Sequence, residues 1–235
     1  MTLKNQILLV VAPHPDDEIL GCGGLIHKIK QEGGRVYVLF MTVGDTKEYS
    51  QNGHSTTAER LREIEKAAKY LQYDDYAIAF AGNQYHLRLD TIPQKDVIAQ
   101  IETEASVSLK SVKPTMIATP YLEDYNQDHR NTTKAVFSAS RPVPPDMKPF
   151  QSLVLGYECV SVADWWSHPR TLNTYIPLSD DDLETKISSL ALYESQIRLG
   201  YHARSLHSIK TLAYFRGLHI GVKAAEGFYS YRFVL

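Results

Sequence analysis

Residues Ile7-Leu8-Leu9-Val10-Val11-Ala12-Pro13-His14-Pro15-Asp16-Asp17-Glu18 decide how this chain is read. The apolar run Ile7 to Val11 is short and bounded by a turn signal, which is the pattern of a strand buried on both faces. Directly after the acids, Ile19-Leu20-Gly21-Cys22-Gly23-Gly24-Leu25-Ile26 reads as a helix entering a packed layer. His14 and the acids therefore stand at the carboxyl end of a first, central strand, where ligands bind in open α/β sheets. Each proline fixes its own φ and restricts the residue before it, so His14 sits in a stiffened loop. Imidazole nitrogen and carboxylate oxygen are both good zinc ligands. His14 and Asp17 lie across a turn that enters a helix and can converge on one ion, while Asp16 between them can face a water. Taken singly, these acids would only favour the positive end of a helix dipole. With a histidine between two prolines in the same turn, a ligand sphere is the better reading.

The 235 residues suffice for one large α/β domain with a sizeable core, expected to span residues 1–235. Hydrophobic residues make up 43% of the chain, which fits a globular protein and argues against extended disorder. A net charge of -2 without a long basic run argues against sequence-independent nucleic-acid binding. No stretch approaches the roughly 18 apolar residues of a membrane span. The apolar run near the N-terminus is too short for a signal-peptide core. Cys22 and Cys159 form neither a disulfide framework nor a zinc–cysteine spacing, so both are expected as free thiols in a cytoplasmic protein. The 15 tyrosines suit sugar sites as well as ordinary packing.

Outward from the first strand, the helix ends at Gly33-Gly34, and Arg35 to Thr42 reads as a second strand. Lys47 to His54 is polar and expected to be mobile. Thr56 or Thr57 caps a helix whose buried stripe is expected at Leu61, Ile64, Ala68 and Leu71. Arg60 and Glu63 on it read as a surface ion pair. Tyr76 to Phe80 is a third strand, followed by a polar loop in which His86 is expected to be solvated. Asp90 to Val107 reads as largely helical, and Thr115 to Thr119 as a fourth strand. Repeated strand–helix units with helices of ordinary length imply a doubly wound, mostly parallel Rossmann-like sheet with helices on both faces. Arg141 to Pro149 is a proline-rich connector. Leu153 to Val160 and Thr174 to Pro177 read as strands, with Trp165-Trp166-Ser167-His168 in the loop between them. Glu158 is a carboxylate in an apolar strand, hence paired or functional. Ser179 with Asp180 to Asp182 starts a helix to about Tyr193. A last helix covers Leu206 to Leu218, and Phe228 to Val234 closes the sheet.

The loop after the fourth strand is Glu123-Asp124-Tyr125-Asn126-Gln127-Asp128-His129-Arg130-Asn131, opening a helix to about Ser140. A parallel sheet brings this loop beside the first one, so it can supply a third metal ligand.

Together the two loops resemble the PIG-L/LmbE-type family of zinc-dependent N-deacetylases. Ala12-Pro13-His14-Pro15-Asp16-Asp17-Glu18 is similar to the family's A-H-P-D-D-E, and Asp124-Tyr125-Asn126-Gln127-Asp128-His129 to its second motif. Arg60-Leu61-Arg62-Glu63 resembles an R-x-x-E element. Tyr201-His202-Ala203-Arg204-Ser205 resembles P-H-P-R-S without its prolines, and Ala225-Glu226-Gly227-Phe228 resembles A-E-x-F. The resemblance extends over nearly the whole chain and implies the LmbE-like fold. It implies one zinc per chain held by His14, Asp17 and His129, with Asp16 as general base and Asp128 orienting a neighbouring histidine. Asn126 stands where many members carry a histidine, and an amide there can donate to an oxyanion but cannot protonate an amine. Asp16 is then the expected proton donor, with His202 as runner-up. Arg60, Arg204 and His202 lie by motif near the substrate. That substrate is expected to be an N-acetylated sugar or glycoconjugate, most of all an N-acetylglucosamine derivative; homo-oligomerisation is left open.

Two rivals stand beside this reading. A non-catalytic sugar- or nucleotide-binding α/β domain is suggested by Gly21-Cys22-Gly23-Gly24, which lacks the full dinucleotide spacing and fits close helix–strand packing better. A metal-dependent phosphoesterase would call for two metals and more carboxylates.

Overall fold

The computed structural model describes residues 3–47, 54–144, 146–159 and 171–234. Its centre is a seven-stranded sheet ordered β5-β2-β1-β6-β7-β9-β8. The strands are β1 (Ile7–Ala12), β2 (Arg35–Val43), β5 (Asp75–Ala81), β6 (Met116–Pro120), β7 (Leu153–Tyr157), β8 (Thr174–Pro177) and β9 (Ala225–Phe233). A two-stranded hairpin of β3 (Thr46–Lys47) and β4 (His54–Ser55) stands apart. β5, β2, β1, β6 and β7 run parallel, and β9 pairs antiparallel with both β7 and β8. The doubly wound, mostly parallel sheet expected from the sequence is therefore the fold.

Alternation along the buried strands sorts the core into two layers. Leu8, Val10, Val36, Val38 and Phe40 pack against α1 (Asp17–Gln31), α2 (Thr57–Tyr70), α6 (Asp180–Leu190) and α7 (Leu206–Leu218). Leu9, Val11, Leu39 and Met41 face α3 (Gln94–Ala99), α4 (Leu109–Val112) and α5 (Gln127–Ala139).

Several elements differ from expectation. The stretch Asp90 to Val107 is not one helix. Pro93 starts α3, which passes into a wider turn over Gln100–Glu104 and stops where Ala105 turns extended. On α2 the buried face is Arg60, Glu63, Ile64, Ala67 and Ala68, whereas Leu61 is exposed. Arg60 and Glu63 form no surface pair: Glu63 accepts the Ser195 N–H and hydroxyl, each at 2.7 Å. β7 stops at Tyr157, and Glu158 beyond it is paired with Arg216. β9 begins at Ala225, ahead of Phe228. Residues 48–53 of the polar segment, Val160 and Trp165 to His168 lie outside the described residues.

The glycines of α1 serve close packing. A Cβ on Gly21 would lie 2.2 Å from the Tyr157 ring, and one on Gly24 would lie 2.5 Å from Leu178. This approach lets β9 reach into the helix. Glu226 accepts the N–H groups of Gly24 and Leu25, both at 2.8 Å. Lys186 bonds the Leu20 carbonyl at 2.8 Å and Glu226 at 2.6 Å. Both charges are buried. Breaking a buried pair by removing one partner costs about 3–5 kcal/mol, because the other charge stays desolvated. Glu226→Ala is accordingly expected to lose stability of that order in urea unfolding; a loss under about 1 kcal/mol would show that α1 does not depend on the clamp.

Candidate metal centre

The sheet changes winding direction at β1, which lies between β2 and β6, with Val10 paired to Ala118. The loops leaving β1 and β6 therefore emerge side by side. The first carries His14, Asp16 and Asp17; the second carries Asp124, Asn126, Asp128 and His129, the last two in the opening turn of α5.

Asp17 is the hub. Its Oδ2 lies 3.3 Å from His14 Nδ1 and 3.2 Å from His129 Nε2, and accepts the His14 backbone N–H at 3.0 Å. The outer nitrogen of each ring meets a further acid: His14 Nε2 is 3.1 Å from Asp128 Oδ2, and His129 Nδ1 is 3.1 Å from Asp124 Oδ2. Those acids are themselves held, Asp128 by the Leu89 N–H and Asp124 by the Asn126 N–H. The Cys159 thiol donates to Asp17 Oδ1 at 3.6 Å. Among the described residues, His14, Asp17 and His129 offer ligand atoms all within 4.8 Å of one another; Asp124, His129 and Cys159 form an overlapping group. Ligand histidines whose second nitrogen donates to a carboxylate are oriented and made more basic. Two imidazoles and one carboxylate leave a tetrahedral position open, as catalytic zinc requires. The donor set fits zinc.

Charge follows the same geometry. Burial opposes ionisation of Asp17, yet His129 and His14 outweigh it and hold the carboxyl well below the usual range. Burial opposes the His129 cation, and Asp17 and Asp124 overcome it, pushing its pKa well up. His14 is raised in the same way, burial being outweighed by Asp128 and Asp17. Protons and a cation therefore compete for this pocket.

Asp16 caps α1 with a φ of 102°. A side chain in the left-handed region is strained and persists only where its surroundings enforce it. Here Glu18 accepts the Asp16 N–H at 3.0 Å, and Tyr193 donates to Glu18 at 2.7 Å. Burial lifts Asp16 to about 6 against the pull of Arg204, and lifts Glu18 to about 8. A carboxylate in that range can exchange a proton near neutral pH.

The other expected site residues are placed unequally. Asn126 caps α5, its side-chain carbonyl accepting the Asp128 N–H at 2.9 Å. Arg204 is half-buried and acts on Asp16 electrostatically. His202 is exposed and accepts the Arg204 N–H at 3.0 Å. Arg60 is buried, and its guanidinium donates to Thr46 Oγ1 and to the Pro15 carbonyl. His86, expected in solvent, is buried with its ring edge against His14, the centroids 5.3 Å apart.

A family model described as PIG-L, GlcNAc-PI de-N-acetylase, matches residues 9–140. The chain belongs to this de-N-acetylase family. Across 195 residues it is 28% identical to the uncharacterized deacetylase YaiS of Escherichia coli K12, covering 82% of this chain and 92% of that protein. Across 228 residues it is 25% identical to the diacetylchitobiose deacetylase of Thermococcus kodakarensis, covering 94% and 81%. The solved structure of GalB, the 4-carboxy-2-hydroxymuconate hydratase of Pseudomonas putida KT2440, superposes with a TM-score of 0.72 at 19% identity, covering 98% of each chain. The last likeness is one of fold alone, so side chains have to separate a de-N-acetylase from its structural neighbours.

Asp124, Glu18, His86 and Cys159 escape a reading of sequence. Asp124 and Glu18 stand inside the quoted motifs but show no signal separating them from capping acids. His86 and Cys159 stand in no pattern at all. Asp124→Ala is expected to weaken zinc binding roughly 10- to 100-fold, the usual effect of losing an acid behind a ligand histidine. Competition with a chelator measures it, and an unchanged dissociation constant would remove Asp124 from the centre.

Proposed function

We propose that this de-N-acetylase is a zinc-dependent hydrolase that removes the acetyl group from an N-acetylglucosamine-type sugar or glycoconjugate. The observation that carries the reading is the arrangement of inner nitrogens about Asp17 Oδ2, each ring backed by its own carboxylate, with Asp16 in the same turn. His14, Asp17 and His129 would hold the ion, one per chain. When bound there, zinc supplies Lewis-acid polarisation and a water of lowered pKa. The residues of the chain do the rest. Asp16 takes the proton of the attacking water at its carboxylate. Asn126, anchored through its carbonyl, turns its amide N–H toward the developing oxyanion. Asp16 then returns its proton to the leaving amine, since an amide cannot; exposed His202 is the runner-up. Asp128 keeps His14 in its ligand tautomer. Arg204, half-buried beside Asp16, would meet the sugar or an anionic group on it.

The diacetylchitobiose deacetylase relative supports an acetylated sugar as the substrate class. No described helix is long and apolar enough to cross a membrane, and Cys22 and Cys159 are free thiols. We place the protein in the reducing cytoplasm, with residues 1–235 as one domain.

Zinc-loaded protein incubated with a panel of N-acetyl sugars is expected to release acetate, to stop on chelation, and to recover when zinc is returned. His14→Ala and His129→Ala are expected to purify without metal. Asp16→Asn is expected to retain zinc and lose roughly 10² to 10⁴ in kcat, the range for a general base. Full turnover by metal-loaded Asp16→Asn, or full zinc in either histidine variant, would overturn these roles.

A further inference from the structure

His14 is the one expected ligand whose neighbours on both sides are prolines, so its own loop has few N–H groups with which to hold itself. The carbonyls on either side are held from outside instead. Pro15 O accepts Arg60 Nη2 at 2.7 Å. Pro13 O accepts the backbone N–H of Thr42 at 3.0 Å and its hydroxyl at 3.2 Å. Between these anchors runs a chain of contacts: Arg60 Nη1 to Thr46 Oγ1 at 3.0 Å, Thr46 Oγ1 to His86 Nε2 at 3.2 Å, and His86 Nδ1 to Thr42 Oγ1 at 3.2 Å. Thr42, Thr46, Arg60 and His86 are all buried.

The donors in this chain have a single consistent order. A guanidinium can only donate and the Pro13 carbonyl can only accept, so Thr42 gives its one hydroxyl proton to Pro13 and accepts from His86 Nδ1, while Thr46 Oγ1 accepts from Arg60 and gives its proton to His86 Nε2. With its Nε2 lone pair occupied, the imidazole is neutral and carries its proton on Nδ1, which it gives to Thr42. Thr42 is left with its hydroxyl proton for Pro13 O. Each link is buried, so each unmade bond would leave a desolvated group unpaired.

We propose that His86 is a positioning residue for His14, joining Arg60 and Thr46 on one side to Thr42 and Pro13 on the other, so that both peptide carbonyls flanking the ligand are fixed from one connected chain. The ring edge of His86 against His14, at 88° between planes, gives the same loop its wall. The inference rests on the reading of His14 as a zinc ligand. It gives Arg60 of the R-x-x-E element a task directed at the metal loop, and it accounts for a histidine that takes no part in the chemistry proposed above.

The test is a zinc dissociation constant, measured by chelator competition, on His86→Phe, Thr46→Val, their double variant and Thr46→Ser, with thermal unfolding run alongside. His86→Phe keeps a ring edge beside His14 but breaks both bonds. Thr46→Val removes one hydroxyl, and Thr46→Ser restores it. The two single variants are each expected to bind zinc roughly 10- to 100-fold more weakly. The double is expected to be no worse than the weaker single, as for members of one network. Thr46→Ser is expected to bind as wild type. Wild-type affinity in His86→Phe overturns the proposal, and so do effects that multiply in the double variant or a Thr46→Ser as weak as Thr46→Val. If His86→Phe does not fold, Thr46→Val against Thr46→Ser reads the same link alone. His14→Ala separates the two claims: zinc retained there refutes the ligand reading itself, whereas zinc lost there and retained in His86→Phe refutes only the role of His86.

Discussion

A carboxylate with both oxygens out of water organises this molecule. Asp17 is buried at the start of α1, and an ionised acid in that position must be met on every side. Two imidazoles, one backbone N–H and a thiol meet it. The imidazoles in turn are buried cations or ligands and call for acids of their own, which Asp128 and Asp124 supply. Those acids take N–H groups from Leu89 and Asn126. One desolvated charge thus recruits partners from three loops and the start of two helices. The sheet makes this affordable, because β1 and β6 are adjacent and parallel.

The clustering of His14, Asp17 and His129 was legible from residue types, since histidine and aspartate in a proline-stiffened turn at a strand's end suggest a shared site. A parallel sheet then places the second loop beside the first. Which acid backs which histidine was not legible. Asp128 and His129 are neighbours in sequence, yet consecutive residues on a helix point about 100° apart. Asp128 therefore reaches across to His14, and His129 turns back to Asp124, five residues before it. Arg60 and Leu61 show the same limit on α2. Periodicity assigns the apolar neighbour inward, whereas the buried place belongs to the cation, whose partners are a hydroxyl on β3 and a carbonyl beside His14. No local pattern in sequence reports a bond between residues that far apart in the chain.

The sheet itself is silent on chemistry. A hydratase shares it over nearly its full length. The chemistry of this site is held in the side chains gathered around Asp17 and in the strained backbone of Asp16. That residue owes its φ of 102° to Glu18 and to the tyrosine that holds Glu18 from the far end of α6. The cluster around Asp17 and the backbone of Asp16 are thereby supported by different parts of the fold.

The clamp on α1 has a consequence for the order in which the chain can take shape during synthesis. Helix α1 begins with Asp17, directly after the loop that leaves β1. Its middle turn is completed by Lys186 and Glu226, which follow their partners Leu20 and Gly24 by 166 and 202 residues. Until then the N–H groups of Gly24 and Leu25 lack the Glu226 carboxylate that β9 brings to them. A nascent chain can pair β1 with β2 well before it can finish the helix between them, so the turn that carries Asp17 exists long before the helix behind it has all its partners.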